Sequence, residues 1–137
     1  MNKTNALQTQ VGGTHYKDLV MQPIEFIIKA KLSFIQGNIV KYITRYKNKN
    51  GKQDIEKCIH YAKLAIELNS TGPEYRMLNI AYTYCKVNNL SQAQTNIIAA
   101  CVQDDYYLAI RYCNQLIKLE YKNAGSRFLT EIVSFLT

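Results

Sequence analysis

The chain contains no tryptophan and only two prolines and six glycines among its 137 residues. Proline and glycine interrupt helices, so their scarcity favours helical structure. No segment alternates between apolar and polar residues with the period of two that marks a half-buried strand. No run approaches the ~20 apolar residues of a membrane-spanning helix, and the amino terminus lacks the hydrophobic run of a secretory signal. We therefore predict an all-α protein of the cytoplasm, with no membrane segment.

Patterns that mark familiar enzymes and metal sites are missing as well. The chain has no G-x-x-x-x-G-K-[ST] loop, and its carboxylates lack the E-x-x-E spacing of all-helical nucleotide pyrophosphohydrolases. None of the four cysteines forms a C-x-x-C pair. We expect buried free thiols in a reducing compartment and no metal site of the protein's own. No residue can be assigned a catalytic role from these patterns.

The charge of the chain is concentrated in its first half. The formal net charge is +7, and residues 1–69 carry eleven Lys/Arg against five Asp/Glu, whereas residues 70–137 carry six against five. A positive field of this kind attracts anions. Phosphate groups, nucleotides and nucleic acids are therefore the leading classes of partner.

Capping signals divide the chain into six to seven short helices. The pairs Ser33/Gln36 and Ser91/Gln94 have the spacing of capping boxes, and Pro23 and Pro73 suit the first turn of a helix. Residues 1–12 look loose. The predicted helices cover about 23–31, 33–47, 52–68, 73–87, 91–102 and 104–121 (capped by Asp104 or Asp105), with a short last helix capped by Ser126 after a turn at 123–125.

The two halves of the chain share a spaced pattern. Residues 32–40 align with residues 90–98, and residues 54–68 align with residues 105–119 after a gap of seven. An internal duplication would give two packed three-helix units, with domains at 1–69 and 70–137 and the second unit a degenerate repeat. Chance similarity between amphipathic helices is the alternative. The second copy has alanine where the first has Lys41, and it lacks the basic loop.

A basic helix and loop form the first candidate site. Five basic residues occur without an intervening acid: Lys41, Arg45, Lys47, Lys49 and Lys52. Helical spacing places Gly37, Lys41 and Arg45 above one another, with Asn38 beside them. Gly37 would let a ligand approach the backbone, the two cations would bind phosphate, and Asp54 would cap the next helix or orient Arg45. The alternative is a solvated lysine-rich loop.

The segment Val11-Gly12-Gly13-Thr14-His15-Tyr16-Lys17 is the second candidate. Two adjacent glycines allow backbone amides to form a concave anion-binding nest. His15 can donate to a phosphate or exchange a proton near neutral pH. A purely structural turn is the competing interpretation.

These motifs together resemble a known family. The resemblance rests on Gly12-Gly13-x-His15-Tyr16, Gln22-Pro23-Ile24-Glu25, Gly37-Asn38-x-x-Lys41-Tyr42-x-x-Arg45, Asp54-x-x-Lys57 and Tyr61, in this order. The family is a bacteriophage domain of unknown function whose members are commonly labelled nucleotide kinases. It covers about residues 11–68. The resemblance implies a phage or prophage origin, nucleotide handling in an infected or lysogenic host, and site residues at His15, Gln22, Glu25, Asn38, Lys41, Arg45 and Asp54. With Gly12, Gly13, Tyr16 and Gly37 from the two motifs, these form the predicted ligand-binding set.

The leading hypothesis is a phage accessory protein that binds a nucleotide or another phosphorylated small molecule, with kinase-like activity open. No cofactor can be named, although a kinase would bind Mg²⁺ with its nucleotide. Two alternatives remain. One is a protein-interaction or counter-defence module that binds a host protein, and the other, less favoured because no helix carries a basic run, is a nucleic-acid binder. We also expect a homo-oligomer.

Overall fold

The computed structural model describes residues 5–75 and 77–121, and within these ranges it is all-α, as predicted. The helices are α1 (Asn5–Gln8), α2 (Pro23–Lys29), α3 (Phe34–Arg45), α4 (Lys52–Leu68), α5 (Leu78–Val87), α6 (Gln92–Val102) and α7 (Tyr106–Glu120), with a 3₁₀ turn at Tyr46–Asn48. No helix in the described ranges has the length and apolarity that a membrane span requires. The turn predicted at 123–125 and the helix predicted after Ser126 lie outside the described residues.

Both predicted capping boxes are confirmed. The Ser33 hydroxyl accepts a hydrogen bond from the Gln36 amide at 3.1 Å, and the Gln36 side chain accepts one from the Ser33 amide at 2.9 Å. Ser91 and Gln94 repeat this exchange at 3.2 and 2.8 Å. Each box satisfies two amides that a helix start leaves unpaired, so α3 and α6 begin at fixed positions.

The predicted start of α5 at Pro73 is wrong, because the helix begins at Leu78. The backbone amide of Gly72 donates to the Asp104 carboxylate at 2.9 Å, and its Cα lies against the side chain of Gln36, with no room for a Cβ. These contacts hold the chain outside a helix before α5. They join residues that are distant in the sequence, so local proline preference could not anticipate them.

Residues 1–12 were expected to be loose, but Asn5–Gln8 form one helical turn. The side-chain amide of Gln22 donates to the carbonyl of Leu7 and attaches this turn to the start of α2. The amino-terminal segment is therefore fixed where it approaches the rest of the fold.

The helices form two three-helix units, α2–α4 and α5–α7, as predicted. Within the units, α3 packs on α2 and α4, and α6 packs on α5 and α7. Between the units, α2 contacts α5, α3 contacts α6 and α4 contacts α7. Equivalent helices thus pair with each other, which is the pattern of an isologous two-fold interface. This arrangement supports an internal duplication.

Two buried glutamines connect the units reciprocally. The Gln36 amide at the start of α3 donates to the Cys101 carbonyl near the end of α6 at 3.2 Å. The Gln94 amide at the start of α6 donates to the Ile43 carbonyl near the end of α3 at 2.9 Å. Each glutamine therefore caps its own helix and also bonds the opposite unit. Buried polar groups need such partners to avoid a desolvation penalty.

The core around this interface is apolar and contains all four cysteines. Cys58, Cys85, Cys101 and Cys113 are free and buried, which confirms the prediction. Burial raises the pKa of the Cys101 thiol well above its ordinary value, so this thiol stays protonated and unreactive.

Replacing Gln36 or Gln94 with alanine should lower the free energy of unfolding by about 2 kcal/mol each, because each change removes a cap and a buried interhelical hydrogen bond. Urea unfolding followed by circular dichroism measures this. Gln115→Ala, at an exposed position of α7, is the matched control and should change stability little. Equal stability of all three variants would contradict the role assigned to the pair.

Candidate functional site

A buried ion pair joins the end of α3 to the start of α4. The Arg45 Nε and Nη2 atoms donate to the two carboxylate oxygens of Asp54, each at 3.2 Å. Asp54 is fully buried, and its carboxylate also accepts the backbone amide of Asn50 at 3.3 Å. The prediction that Asp54 orients Arg45 therefore agrees with the geometry. The same carboxylate fixes the loop between the helices.

Three cations surround the ring of Tyr42 next to this pair. Lys41, Arg45 and Lys57 place their charged groups 4.6, 4.7 and 4.9 Å from the ring centroid. Lys57 also lies 3.8 Å from a carboxylate oxygen of Asp54. The electron-rich face of tyrosine attracts cations at these distances. One buried carboxylate cannot neutralise three cations, so this region retains positive charge.

The amino-terminal motif lies against the same region. The Tyr16 hydroxyl is 3.5 Å from the backbone carbonyl of Lys41. Burial raises the pKa of Tyr16 to about 12, against the opposing effect of Arg45, so the phenol is neutral at physiological pH. Gln10 supports the motif, since its side chain accepts the Tyr16 amide at 2.7 Å and lies 3.0 Å from His15 Nδ1. Sequence reasoning missed Gln10, because no motif distinguishes it from other polar residues of the segment.

A cleft of about 640 Å³ lies between this motif and the loop after α3. Its lining is formed by Gly12, Gly13, Thr14, His15, Asp18, Leu19, Asn48 and Lys49. The structure therefore brings the glycine-rich turn and the basic loop, which are far apart in the sequence, to one surface depression.

The surroundings of His15 at this cleft favour its neutral form. Burial lowers its pKa below the ordinary value of 6.5, and the positive charges of Lys49 and Arg45 lower it further. A neutral imidazole can accept the hydrogen bond that the Gln10 amide offers. His15 therefore contributes a polar edge to the cleft at neutral pH, while Lys49 contributes charge.

Gly37 does not provide the open backbone that the sequence suggested. It is buried, and a Cβ at this position would lie 3.3 Å from the side chain of Ile27 in α2. The glycine therefore allows α2 and α3 to approach closely. Asn38 bonds within its own helix, donating to the Phe34 carbonyl at 2.9 Å.

Three further predicted site residues, Gln22, Glu25 and Lys41, do not line the cleft. The Glu25 carboxylate accepts the backbone amide of Gln22 at 2.6 Å, so these two residues stabilise the start of α2. Lys41 lies over Tyr42, on the outer side of α3. The cleft itself combines Gly12, Gly13 and His15 with Lys49, a residue of the basic loop that was not among the predicted phosphate-binding residues.

Residues 11–63 match the model of a protein family of unknown function, DUF3310. No curated protein and no solved structure matches the chain. The family match begins before the glycine turn, includes the Arg45–Asp54 pair and ends within α4. It supports the resemblance to an uncharacterised family inferred from the sequence motifs. The phage origin and the kinase-like activity stay predictions.

Removing the charge of Lys49 should raise the pKa of His15. In Lys49→Gln the imidazole no longer faces that cation, so its pKa should move towards 6.5. It should stay below 6.5, because burial still lowers it. Titration of the imidazole signals by NMR measures the shift. Lys63→Gln, which removes a cation that does not act on His15, should leave the titration unchanged. An identical His15 titration in wild type and Lys49→Gln would show that the loop does not face the turn.

Neutralising Asp54 should destabilise the fold. Asp54→Asn leaves Arg45 without its charged partner, and we expect a loss of about 2–3 kcal/mol, less than for a fully buried pair because the Arg45 side chain is 11% exposed. Chemical unfolding measures the change. Glu56→Gln, which neutralises an exposed carboxylate on the same helix, provides the control. A loss no larger than that of the control would refute the structural role of the pair.

Proposed function

We propose that this protein binds a nucleotide or another phosphate-bearing ligand in the cleft between the Gly12–His15 turn and Lys49. The main support for this proposal is that residues of two separate sequence motifs, each suited to anions, line the same cleft. Convergence of polar and cationic groups on one concave surface is typical of ligand sites. The family match covers all of these residues.

The turn supplies backbone donors for phosphate oxygens. Gly12 and Gly13 are exposed and adopt φ angles of +82° and +145°, which side-chain-bearing residues rarely adopt. Backbone amides of a turn can donate to an anion that approaches them closely. The absence of side chains at both positions lets a phosphate approach the amides directly.

The loop supplies the charge. Lys49 is exposed and lines the cleft, so its ammonium group can move to contact a phosphate. Arg45 adds to the local positive potential, although Asp54 already occupies two of its donor atoms. The binding energy therefore depends on the glycine amides and Lys49, and Arg45 contributes mainly through its field.

Kinase-like activity is compatible with this site but requires a bound metal ion in addition to the groups that contact phosphate. Phosphoryl transfer ordinarily needs Mg²⁺ bridging the phosphates. Among the residues that line the cleft, Asp18 carries the carboxylate suited to a hydrated Mg²⁺ ion. Binding with and without Mg²⁺ therefore distinguishes a simple binder from a site prepared for transfer.

We place this function in the cytoplasm of a phage-infected or lysogenic host. The order of motifs shared with phage proteins supports the phage origin. The four buried free thiols support a reducing compartment.

Isothermal titration calorimetry with AMP, ADP, ATP, a cyclic nucleotide and inorganic phosphate tests the proposal, each with and without Mg²⁺. At least one nucleotide should bind, and Lys49→Glu should weaken it by about tenfold or more, because the change replaces attraction by repulsion. Lys63→Glu gives the same change in net charge away from the cleft and should have little effect. Absence of binding by every ligand, or equal weakening by both variants, would reject the cleft as the site.

A further inference from the structure

We infer a second binding surface, for single-stranded nucleic acid, on the outer side of the α3–α4 hairpin. We call it the aromatic–cationic face and define it by Phe34, Lys41, Tyr42, Lys57 and Tyr61. None of these residues lines the cleft, so the inference is separate from the proposed nucleotide site.

The aromatic rings of this face form a connected row. The rings of Tyr42 and Tyr61 stack with centroids 6.0 Å apart and an interplanar angle of 20°. Phe34 meets Tyr61 edge-on at 6.3 Å and is 76% exposed. A solvent-exposed aromatic ring beside another ring can stack against an unpaired base, since every base presents a flat face for stacking.

Cations accompany the row, and within the described part of the chain their acidic partner lies below the surface. Lys41, Arg45 and Lys57 surround Tyr42, and the acid in contact with Arg45 and Lys57 is Asp54, which is fully buried beneath them. The surface therefore presents positive charge next to the partly buried rings of Tyr42 and Tyr61 and the exposed ring of Phe34. A single strand matches this combination, because its phosphates can bind the cations while its bases stack on the rings.

The dimensions favour a strand over a single nucleotide. On α3 the face runs from Phe34 to Tyr42, eight positions that correspond to about 12 Å at ~1.5 Å per residue. At a spacing of ~3.4 Å per stacked nucleotide, this length accommodates about three to four nucleotides. A duplex keeps its bases stacked inside and cannot use the exposed ring of Phe34, so the face suits a single strand.

The second unit provides an internal comparison. At the positions equivalent to Phe34, Lys41, Tyr42, Lys57 and Tyr61, it carries Gln92, Ala99, Ala100, Leu108 and Tyr112. The capping boxes and the helix pairing are the same in both units. A three-helix unit of this type therefore forms without the aromatic–cationic face. Tyr61 is matched by Tyr112 and belongs to the shared scaffold. Since the fold does not require the other four residues, binding is the better explanation for them.

Fluorescence anisotropy of the full-length protein with a labelled oligothymidylate tests the inference, with RNA of equal length and a DNA duplex alongside. Single strands should bind more tightly than the duplex, and affinity should fall steeply as salt increases. The double variant Phe34→Gln/Lys41→Ala carries the side chains found in the second unit and should bind about tenfold more weakly or worse. Lys118→Ala on α7 removes an exposed cation elsewhere and should keep most of the affinity.

Circular dichroism should show that the double variant is folded, because neither residue is buried. Phe34→Gln alone should leave nucleotide calorimetry unchanged, so failure of this surface can be told from failure of the cleft. Absence of single-strand binding at low salt, a duplex bound as tightly as a single strand, or unchanged affinity in the folded double variant would each overturn the inference.

Discussion

A single buried carboxylate, that of Asp54, determines the geometry of the junction between α3 and α4. Water cannot solvate this charge, so its stability depends on protein partners. Arg45 and the Asn50 amide donate hydrogen bonds to it, and Lys57 lies within ion-pair distance. These contacts hold the end of α3, the following loop and the start of α4 in one arrangement. The equivalent residue of the second unit, Asp105, is exposed and caps α7 through the Leu108 amide.

Two surfaces follow from that arrangement. Towards the amino terminus, the fixed loop presents Lys49 to the glycine turn and creates the cleft. Towards α4, Arg45 joins Lys41 and Lys57 around Tyr42. The second unit repeats the scaffold without the cations. It contributes the other half of the core through the Gln36 and Gln94 exchange, and the first unit carries the candidate chemistry.

The sequence predicted the parts of this structure that local interactions control. Capping boxes depend on residues three apart, so the starts of α3 and α6 could be located from Ser33 and Ser91. The start of α5 could not, because the contact of Gly72 with Asp104 bridges distant segments. Gly37 shows a different difficulty. A glycine that admits a ligand and a glycine that admits a neighbouring helix look the same in one sequence, and the contact with Ile27 identifies the second case.

We propose above all that phosphate binds in the cleft between the glycine turn and the basic loop. An NMR titration of the isotope-labelled protein with the nucleotide that binds most tightly is the decisive experiment. The backbone amide signals of Gly12, Gly13 and Lys49 should shift together and saturate at one affinity, while those of α7 stay in place. Shifts confined to other parts of the chain, or none at saturating nucleotide, would contradict the claim.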